Sequence, residues 1–396
     1  MQNHKIGLWS ATALVVASMI GTGVFTSLGF QVAGLPSVPV ILLLWAIGGL
    51  VAFCGALSYI HLAKLVPGTG GEYHYINSYY PNWLAAGVGP ISVLSGFIGP
   101  IALSCMTIAA YASAIFPVLP RQLFAFFVVL LVSLPHLLNL KWGSRFQMVL
   151  TTMKVVLILV LIIFGLQAVP KGNPILFSEG DQKLLFSNSF AISLVYVSFA
   201  YSGWNACVYI FSEISDAERT IKRSILLGCL LVVVLYLLLN YIFLRVLPFK
   251  VMDGKLEIGV LAAKQLFGAK VGNWLGGLMA ALLLATISAM VWIGPRIIAR
   301  FAYDWKLDVI ARNNGKGIPF NASLLQLVLV SLMIFTGTFK QVMFCSALLM
   351  NLIALLAVLI LFRKDMGLSI PQKIAPFVFV LFNLWSLTTI IRFFFT

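Results

Sequence analysis

The chain has 396 residues, of which 61% are apolar and 9% are charged, and its formal net charge is +15. A water-soluble protein of this length cannot cover so much apolar surface with polar side chains, so the composition excludes that class and favours a chain embedded in a lipid bilayer. The basic residues stand mostly in short connections between apolar runs, which is typical of membrane orientation signals and disfavours a nucleic-acid partner.

Apolar windows of about 20 residues predict about eleven membrane-spanning helices. Placing the N-terminus on the cytoplasmic side gives the inner loops the larger share of Lys and Arg, which favours that orientation in the cell membrane. No soluble domain interrupts the pattern, so we predict a single all-α, polytopic membrane domain over residues 1–396. The spans begin near Leu8, Val38, Trp83, Arg121, Phe146, Leu184, Ile221, Val271, Ile318, Lys340 and Pro376.

The first predicted span carries two glycines, Gly21 and Gly23, close to the middle of the bilayer. Glycine tolerates non-helical dihedrals, so the helix can open here, and opened backbone inside a bilayer needs polar partners that a ligand can supply. The amides around these glycines would face a carboxylate from the favourable end of a helix dipole. The alternative is that both glycines only pack against a neighbouring helix.

The fifth predicted span contains a lysine, Lys154, nine residues after Arg145 and therefore about 13 Å deeper along the helix axis. One interpretation is that its stem extends back to the membrane surface. The other is that its ammonium faces the bundle interior and bonds to carbonyl groups at broken helices, where it supplies the positive charge that sodium provides elsewhere.

The sixth predicted span has a polar Ser202-Gly203 step at a depth similar to that of the first pair of glycines. Carbonyl groups freed between Phe199 and Ser202 would face an ammonium group. The two interruptions lie five spans apart, which are equivalent positions in two repeats of five helices. Each span would then consist of two half-helices. Together the first span would bind the carboxylate of an amino acid and the sixth its ammonium group.

Acidic and metal-binding residues argue against several other functions. All eleven Asp and Glu residues lie in loops or at span ends, and the four histidines are scattered. This pattern disfavours a relay of buried carboxylates, an acidic ion filter, a metal site and an intramembrane hydrolase, so we expect no cofactor, no metal and no enzymatic activity. The five cysteines lie in apolar runs, as small buried hydrophobic residues do.

Four short motifs resemble the amino acid–polyamine–organocation superfamily, and most closely its L-type amino acid transporter branch. Residues 20–25 resemble that family's first-helix glycine signature, and residues 199–205 are similar to its sixth-helix run. Residues 67–73 resemble the loop after helix two, and residues 294–296 with 317–322 resemble the stretch between helices eight and nine. Lys154 falls where many sodium-independent members place a lysine.

The resemblance implies a LeuT-like fold of two inverted five-helix repeats, at about residues 6–169 and 184–364, plus one further helix at about 374–395. It implies alternating access, with Phe199 as an aromatic gate and Lys154 in place of a sodium ion. The substrate-binding residues that it implies are Met19, Gly21, Thr22, Gly23, Phe199, Ala200 and Ser202, with Asn205 as a polar neighbour.

Together these patterns favour a sodium-independent carrier of neutral L-amino acids that works by exchange or with proton coupling. Neutral substrates are preferred because no fixed counter-charge except Lys154 is evident in the spans. A non-transporting amino acid sensor on the same fold, a carrier of other small amines and a channel are the alternatives. The sequence leaves open the oligomeric state and any partner subunit.

Overall fold

The computed structural model describes residues 5–113, 120–137, 144–312 and 318–395, which include all the motifs above except Gly317. Most residues in these ranges are helical. Its α-helices are α1 Leu8–Met19, α2 Gly23–Gln31, α3 Val38–Leu65, α4 Gly71–Tyr79, α5 Asn82–Val93, α6 Gly99–Ser113, α7 Arg121–Leu137, α8 Ser144–Gln167, α9 Glu179–Leu185, α10 Asn188–Ala200, α11 Ala217–Val246, α12 Phe249–Met252, α13 Ile258–Asp304, α14 Asp308–Ala311, α15 Phe320–Thr336, α16 Phe339–Leu359 and α17 Ile370–Phe395.

Eight helical segments in the described ranges are long and apolar enough to cross a membrane, counting α1 with α2 and α5 with α6 as one segment each. The pair α9 and α10, bent by 63°, adds a ninth candidate, and α7 and α15 are shorter apolar helices. The prediction of an all-α, polytopic membrane protein is confirmed. The count of eleven spans and the division into two inverted repeats stay predictions.

The first span lies in the middle of the bundle. Helix α1 packs against α11 and α8, α3 packs against α11 and α17, and α13 packs against α6. Large apolar side chains such as Leu131 and Trp274 are exposed on the outside of the bundle, as expected for a surface that faces lipid. Trp45, Tyr201 and Tyr236 are fully buried and pack edge-on or tilted against one another.

Helix α3 shows how local sequence determines a helix start. Ser37 is extended, its hydroxyl accepts a hydrogen bond from the amide of Val40 at 3.5 Å, and Pro39 stands in the first turn, where no helical amide bond is required.

One expectation about the cysteines is wrong. Cys54, Cys105, Cys207 and Cys229 are buried, but Cys345 on α16 is exposed on the surface of the bundle. An apolar run identifies a membrane helix without fixing which of its faces is covered by protein.

Candidate functional site

The first membrane span is interrupted at the position that its glycines predict. Helix α1 ends at Met19 and α2 begins at Gly23. Between them, the amide of Ile20 still donates to the carbonyl of Val16 at 2.8 Å, but the amide of Gly21 turns back to the carbonyl of Met19 at 2.8 Å. Residues 20–22 therefore leave the regular helical hydrogen-bond pattern.

Long side chains from other helices supply partners for this interruption. The ammonium of Lys154 on α8 donates to the carbonyl of Ile20 at 3.0 Å and also to the hydroxyl of Thr286 on α13. The hydroxyl of Tyr236 on α11 donates to the carbonyl of Met19 at 2.7 Å. Lys154 is only 4% exposed, so its side chain lies in the bundle interior and does not extend to the membrane surface.

The sixth span is interrupted in a different way. Helix α10 ends at Ala200, residues 201–205 form turns, and the chain continues as a 3-10 helix from Ala206 to Glu213. The second half is therefore not the α-helix that the sequence suggested. Gly203 has φ +102°, and a Cβ atom placed on it would lie 2.6 Å from the carbonyl oxygen of Ser18. This glycine allows both the turn and the close approach to α1.

The eight residues that the sequence proposed as substrate contacts line one cavity, which we call the central cavity. It lies between the two interruptions, and Ser104 and Thr286 complete part of its polar wall. The proposed residues are Met19, Gly21, Thr22, Gly23, Phe199, Ala200, Ser202 and Asn205.

The two glycines of the first span differ in their surroundings. A Cβ atom on Gly23 would lie 2.5 Å from the Cα atom of Ala200, so this glycine permits α2 to pack closely against α10. A Cβ atom on Gly21 would meet no atom within 4 Å. The packing alternative therefore applies to Gly23, while Gly21 faces the central cavity.

A second cavity adjoins the central one, and Gly96, Phe199, Ser202, Asn205 and Tyr209 line both. We call it the adjoining cavity. Its wall includes Glu72, which stands at the start of α4 and belongs to the loop motif of residues 67–73.

Sequence reasoning missed several residues that contact the site. Glu72 could have been identified from the sequence. Burying a carboxylate next to a membrane span costs free energy, so such residues usually have a functional role. Thr286, Tyr236, Tyr59 and Tyr209 gave no comparable signal, because a hydroxyl on an apolar helix is common and its partner depends on the packing of distant segments.

Known proteins resemble this chain in sequence. The model of a family described as amino acid permease matches residues 6–396. The chain belongs to that family. The b(0,+)-type amino acid transporter 1 of Mus musculus is 30% identical over 254 residues, covering 61% of this chain and 51% of the relative. The large neutral amino acids transporter small subunit 2 of the same species is 26% identical over 277 residues, covering 67% and 52%.

Membership of the amino acid permease family confirms the resemblance to the amino acid–polyamine–organocation superfamily and its L-type branch. The protein is therefore a multi-pass membrane protein of an amino acid transporter family. The chain spans about half the length of the curated relatives that it matches.

Proposed function

We propose that this permease is a sodium-independent carrier of neutral L-amino acids that works by alternating access in the cell membrane, with its N-terminus in the cytoplasm. The observation that carries the proposal is the position of the Lys154 ammonium, which bonds the backbone of the first interruption from behind the central cavity. A fixed cation at this point provides the positive charge for which other carriers use a sodium ion.

The charge distribution of the helix ends supports an amino acid as substrate. The N-terminus of α2 at Gly23 carries partial positive charge and lies on the wall of the central cavity, where it favours a carboxylate. The C-terminus of α10 at Ala200 carries partial negative charge on the same wall and favours an ammonium group.

The carbonyl of Phe199 is a poorer ammonium acceptor than the sequence suggested. It already accepts hydrogen bonds from the amide of Ser202 at 3.1 Å and from its hydroxyl at 2.7 Å. We therefore assign the main ammonium contact to the carbonyl of Ala200 in the last turn of α10, where helical donors are lacking. Phe199 keeps its proposed role as the gate, since its ring is buried and it lines both cavities.

Neutral side chains are supported by the remaining wall of the central cavity. That wall is apolar over much of its extent, and apolar walls favour uncharged substrate groups because a charge loses hydration there. Its apolar side chains include Phe97, Met290, Ile293 and Met350.

Uptake into proteoliposomes tests the proposal. Labelled L-leucine, L-alanine and L-methionine should accumulate faster when the vesicles are preloaded with the same amino acid, and replacing sodium with choline should leave the rate unchanged. Accelerated counterflow identifies a carrier, binding without flux identifies a sensor, and ion current without saturable uptake identifies a channel. A steep dependence on sodium would contradict the role of Lys154.

Coupling is tested in the same vesicles. An exchanger requires internal amino acid for uptake, whereas a proton-coupled carrier accumulates substrate in empty vesicles when an inward pH gradient is imposed.

A further inference from the structure

The outside of the bundle carries a groove between α6, α7 and α13, which we call the lateral groove. Its volume is about 420 Å³, compared with about 60 Å³ for the central cavity and about 60 Å³ for the adjoining cavity. Every side chain that lines the groove is apolar. It opens toward the lipid-facing surface, where Phe127 and Leu131 are 53% and 65% exposed. A lipid of the surrounding bilayer therefore has direct access to it.

The side chains on the two walls explain why the helices do not close this gap. Ala280 and Ala281 on α13 extend little beyond the backbone, while Phe124 and Phe127 on α7 form the opposite wall. A gap between apolar side chains loses dispersion contacts, and water finds no hydrogen-bond partner there. A hydrocarbon chain in the groove restores the lost contacts.

The length of the groove matches one leaflet of a bilayer. On α7 its lining runs from Phe124 to Leu131, and the helix begins at Arg121. The rise from Arg121 to Leu131 is about 15 Å at about 1.5 Å per residue. The hydrocarbon core of a bilayer is about 30 Å thick, so this face of α7 extends from the membrane surface to about the midplane.

The width of the groove excludes a membrane helix as its occupant. Spread over the roughly 10 Å between Phe124 and Leu131, the volume corresponds to a cross-section of about 40 Å². An α-helix with its side chains is at least about 10 Å across and has about twice that cross-section. The groove is therefore wide enough for a single extended chain and too narrow for another helix.

Two side chains at the surface end of the groove favour a phospholipid headgroup. Arg121 is exposed, and it lies two helical turns before Val128 on the same side of α7. No ion pair within the described ranges includes Arg121, and a guanidinium group binds phosphate through two parallel hydrogen bonds. Trp274 is 76% exposed and lies two turns before Ala281 on α13, as expected for a side chain at the membrane surface.

We propose that the lateral groove binds one acyl chain of an anionic phospholipid, whose phosphate is held by Arg121. The site is separate from the transport site. Ala280 and Leu284 line the groove, whereas Thr286, on the opposite side of α13, lines the central cavity. The bound lipid is therefore a partner of the bundle and not a substrate.

Native mass spectrometry of the detergent-purified protein tests the proposal. The protein is mixed with equal amounts of phosphatidylglycerol and phosphatidylcholine that carry identical oleoyl chains. Wild-type protein should bind phosphatidylglycerol about 5-fold more tightly as its first lipid, because a cation at the membrane surface attracts an anionic headgroup. Arg121→Gln should lower this preference to less than about 2-fold. Ala281→Trp, which fills the groove, should weaken the binding of both lipids at least about 10-fold, because the acyl chain loses its apolar contact area.

Matched controls repeat each change elsewhere on the surface. Lys171→Gln removes an exposed cation from the loop after α8, and Leu332→Trp adds an indole at an exposed position of α15 that does not line the groove. Both variants should bind the two lipids as wild-type protein does.

Three other outcomes would overturn the proposal. If wild-type protein binds the two lipids equally well, Arg121 holds no anionic headgroup, and this comparison needs no variant. If Ala281→Trp binds lipid as tightly as wild-type protein, the groove is not the lipid site. If Ala281→Trp instead converts a wild-type dimer into monomers with lipid binding unchanged, the groove face contacts a second copy of the chain.

Discussion

The two helix interruptions serve the same cavity but are stabilised by different means. The first is held at its backbone by side chains from two other helices, Lys154 and Tyr236, and Thr286 accepts a second hydrogen bond from Lys154. The sixth is held by local bonds from Ser202 to Phe199, and by the side chain of Asn205, which binds Glu72. An opened helix inside a bilayer can thus be satisfied either by distant donors or by its own turn.

This difference predicts where each interruption is vulnerable. The first should respond to the loss of single distant side chains. The sixth should respond to changes in the conformation of its own backbone, because Gly203 adopts a dihedral that other residues rarely adopt. Four substitutions test the comparison, from the largest expected effect to the smallest.

Lys154→Ala should have the largest effect. It removes the ammonium from the carbonyl of Ile20 and from Thr286, and leaves buried acceptors without a donor. We expect transport to fall at least about 100-fold and the free energy of unfolding to fall by about 2–4 kcal/mol. Counterflow and thermal unfolding in detergent measure the two quantities.

Two controls make the Lys154 result specific. Lys364→Ala removes an exposed lysine and should change neither quantity. Thr286→Val keeps the ammonium and its bond to Ile20, so it should have a smaller effect on both. Normal transport by Lys154→Ala would show that the first interruption does not depend on the hydrogen bond from this distant side chain.

Gly203→Ala should destabilise the sixth interruption. The substitution imposes a side chain on a residue with φ +102° and places its Cβ atom 2.6 Å from the carbonyl of Ser18. We expect the free energy of unfolding to fall by about 1–3 kcal/mol or more, as is usual for alanine at a positive φ in a crowded site. Gly254→Ala, at φ +67° with no atom within 4 Å, separates the dihedral cost from the contact with α1. Equal losses in both variants would show that the close approach contributes nothing.

Gly21→Ala should affect the ligand and leave the fold intact. Its methyl group enters the central cavity without meeting a protein atom within 4 Å, so only a bound substrate would be displaced. We expect substrate affinity to fall about 10-fold to 100-fold with an unchanged melting temperature, because a misplaced methyl group typically costs about 1–3 kcal/mol.

Two further glycines serve as references for Gly21. Gly87→Ala also meets no atom but lies outside both cavities, and should change neither affinity nor stability. Gly23→Ala should unfold more easily, because its methyl group collides with Ala200. If Gly21→Ala binds substrate with normal affinity, the first interruption does not hold the carboxylate.

The sequence predicted the positions of both interruptions because glycine within an apolar span allows backbone dihedrals that other residues rarely adopt. An interior position for Lys154 was one of two interpretations that the sequence allowed, since a lysine so deep in a span either reaches back to the surface or needs a polar partner. The sequence could not predict the 3-10 helix after Asn205 or the bond from Tyr236 to Met19. Both depend on how segments far apart in the chain pack together, and the pattern of apolar residues in one segment does not predict that packing.

The smallest expected effect distinguishes two neighbouring tyrosines. Tyr236 and Tyr201 are both fully buried, with ring centroids 5.1 Å apart. The Tyr236 hydroxyl donates to the carbonyl of Met19, whereas the Tyr201 hydroxyl has no hydrogen-bond partner within the described part of the chain. Tyr236→Phe should therefore lower the free energy of unfolding by about 1 kcal/mol, and Tyr201→Phe should leave it unchanged or raise it slightly.

The same pair of variants also tests whether the distant donors matter for transport. Tyr236→Phe removes one of the two donors to the carbonyl of Met19 while Lys154 still holds the carbonyl of Ile20, so counterflow should slow by only a few fold. Equal stability and equal counterflow in the two variants would show that the Tyr236 bond contributes nothing. Lys154 alone would then hold the first interruption open, which would make it depend on a single charge.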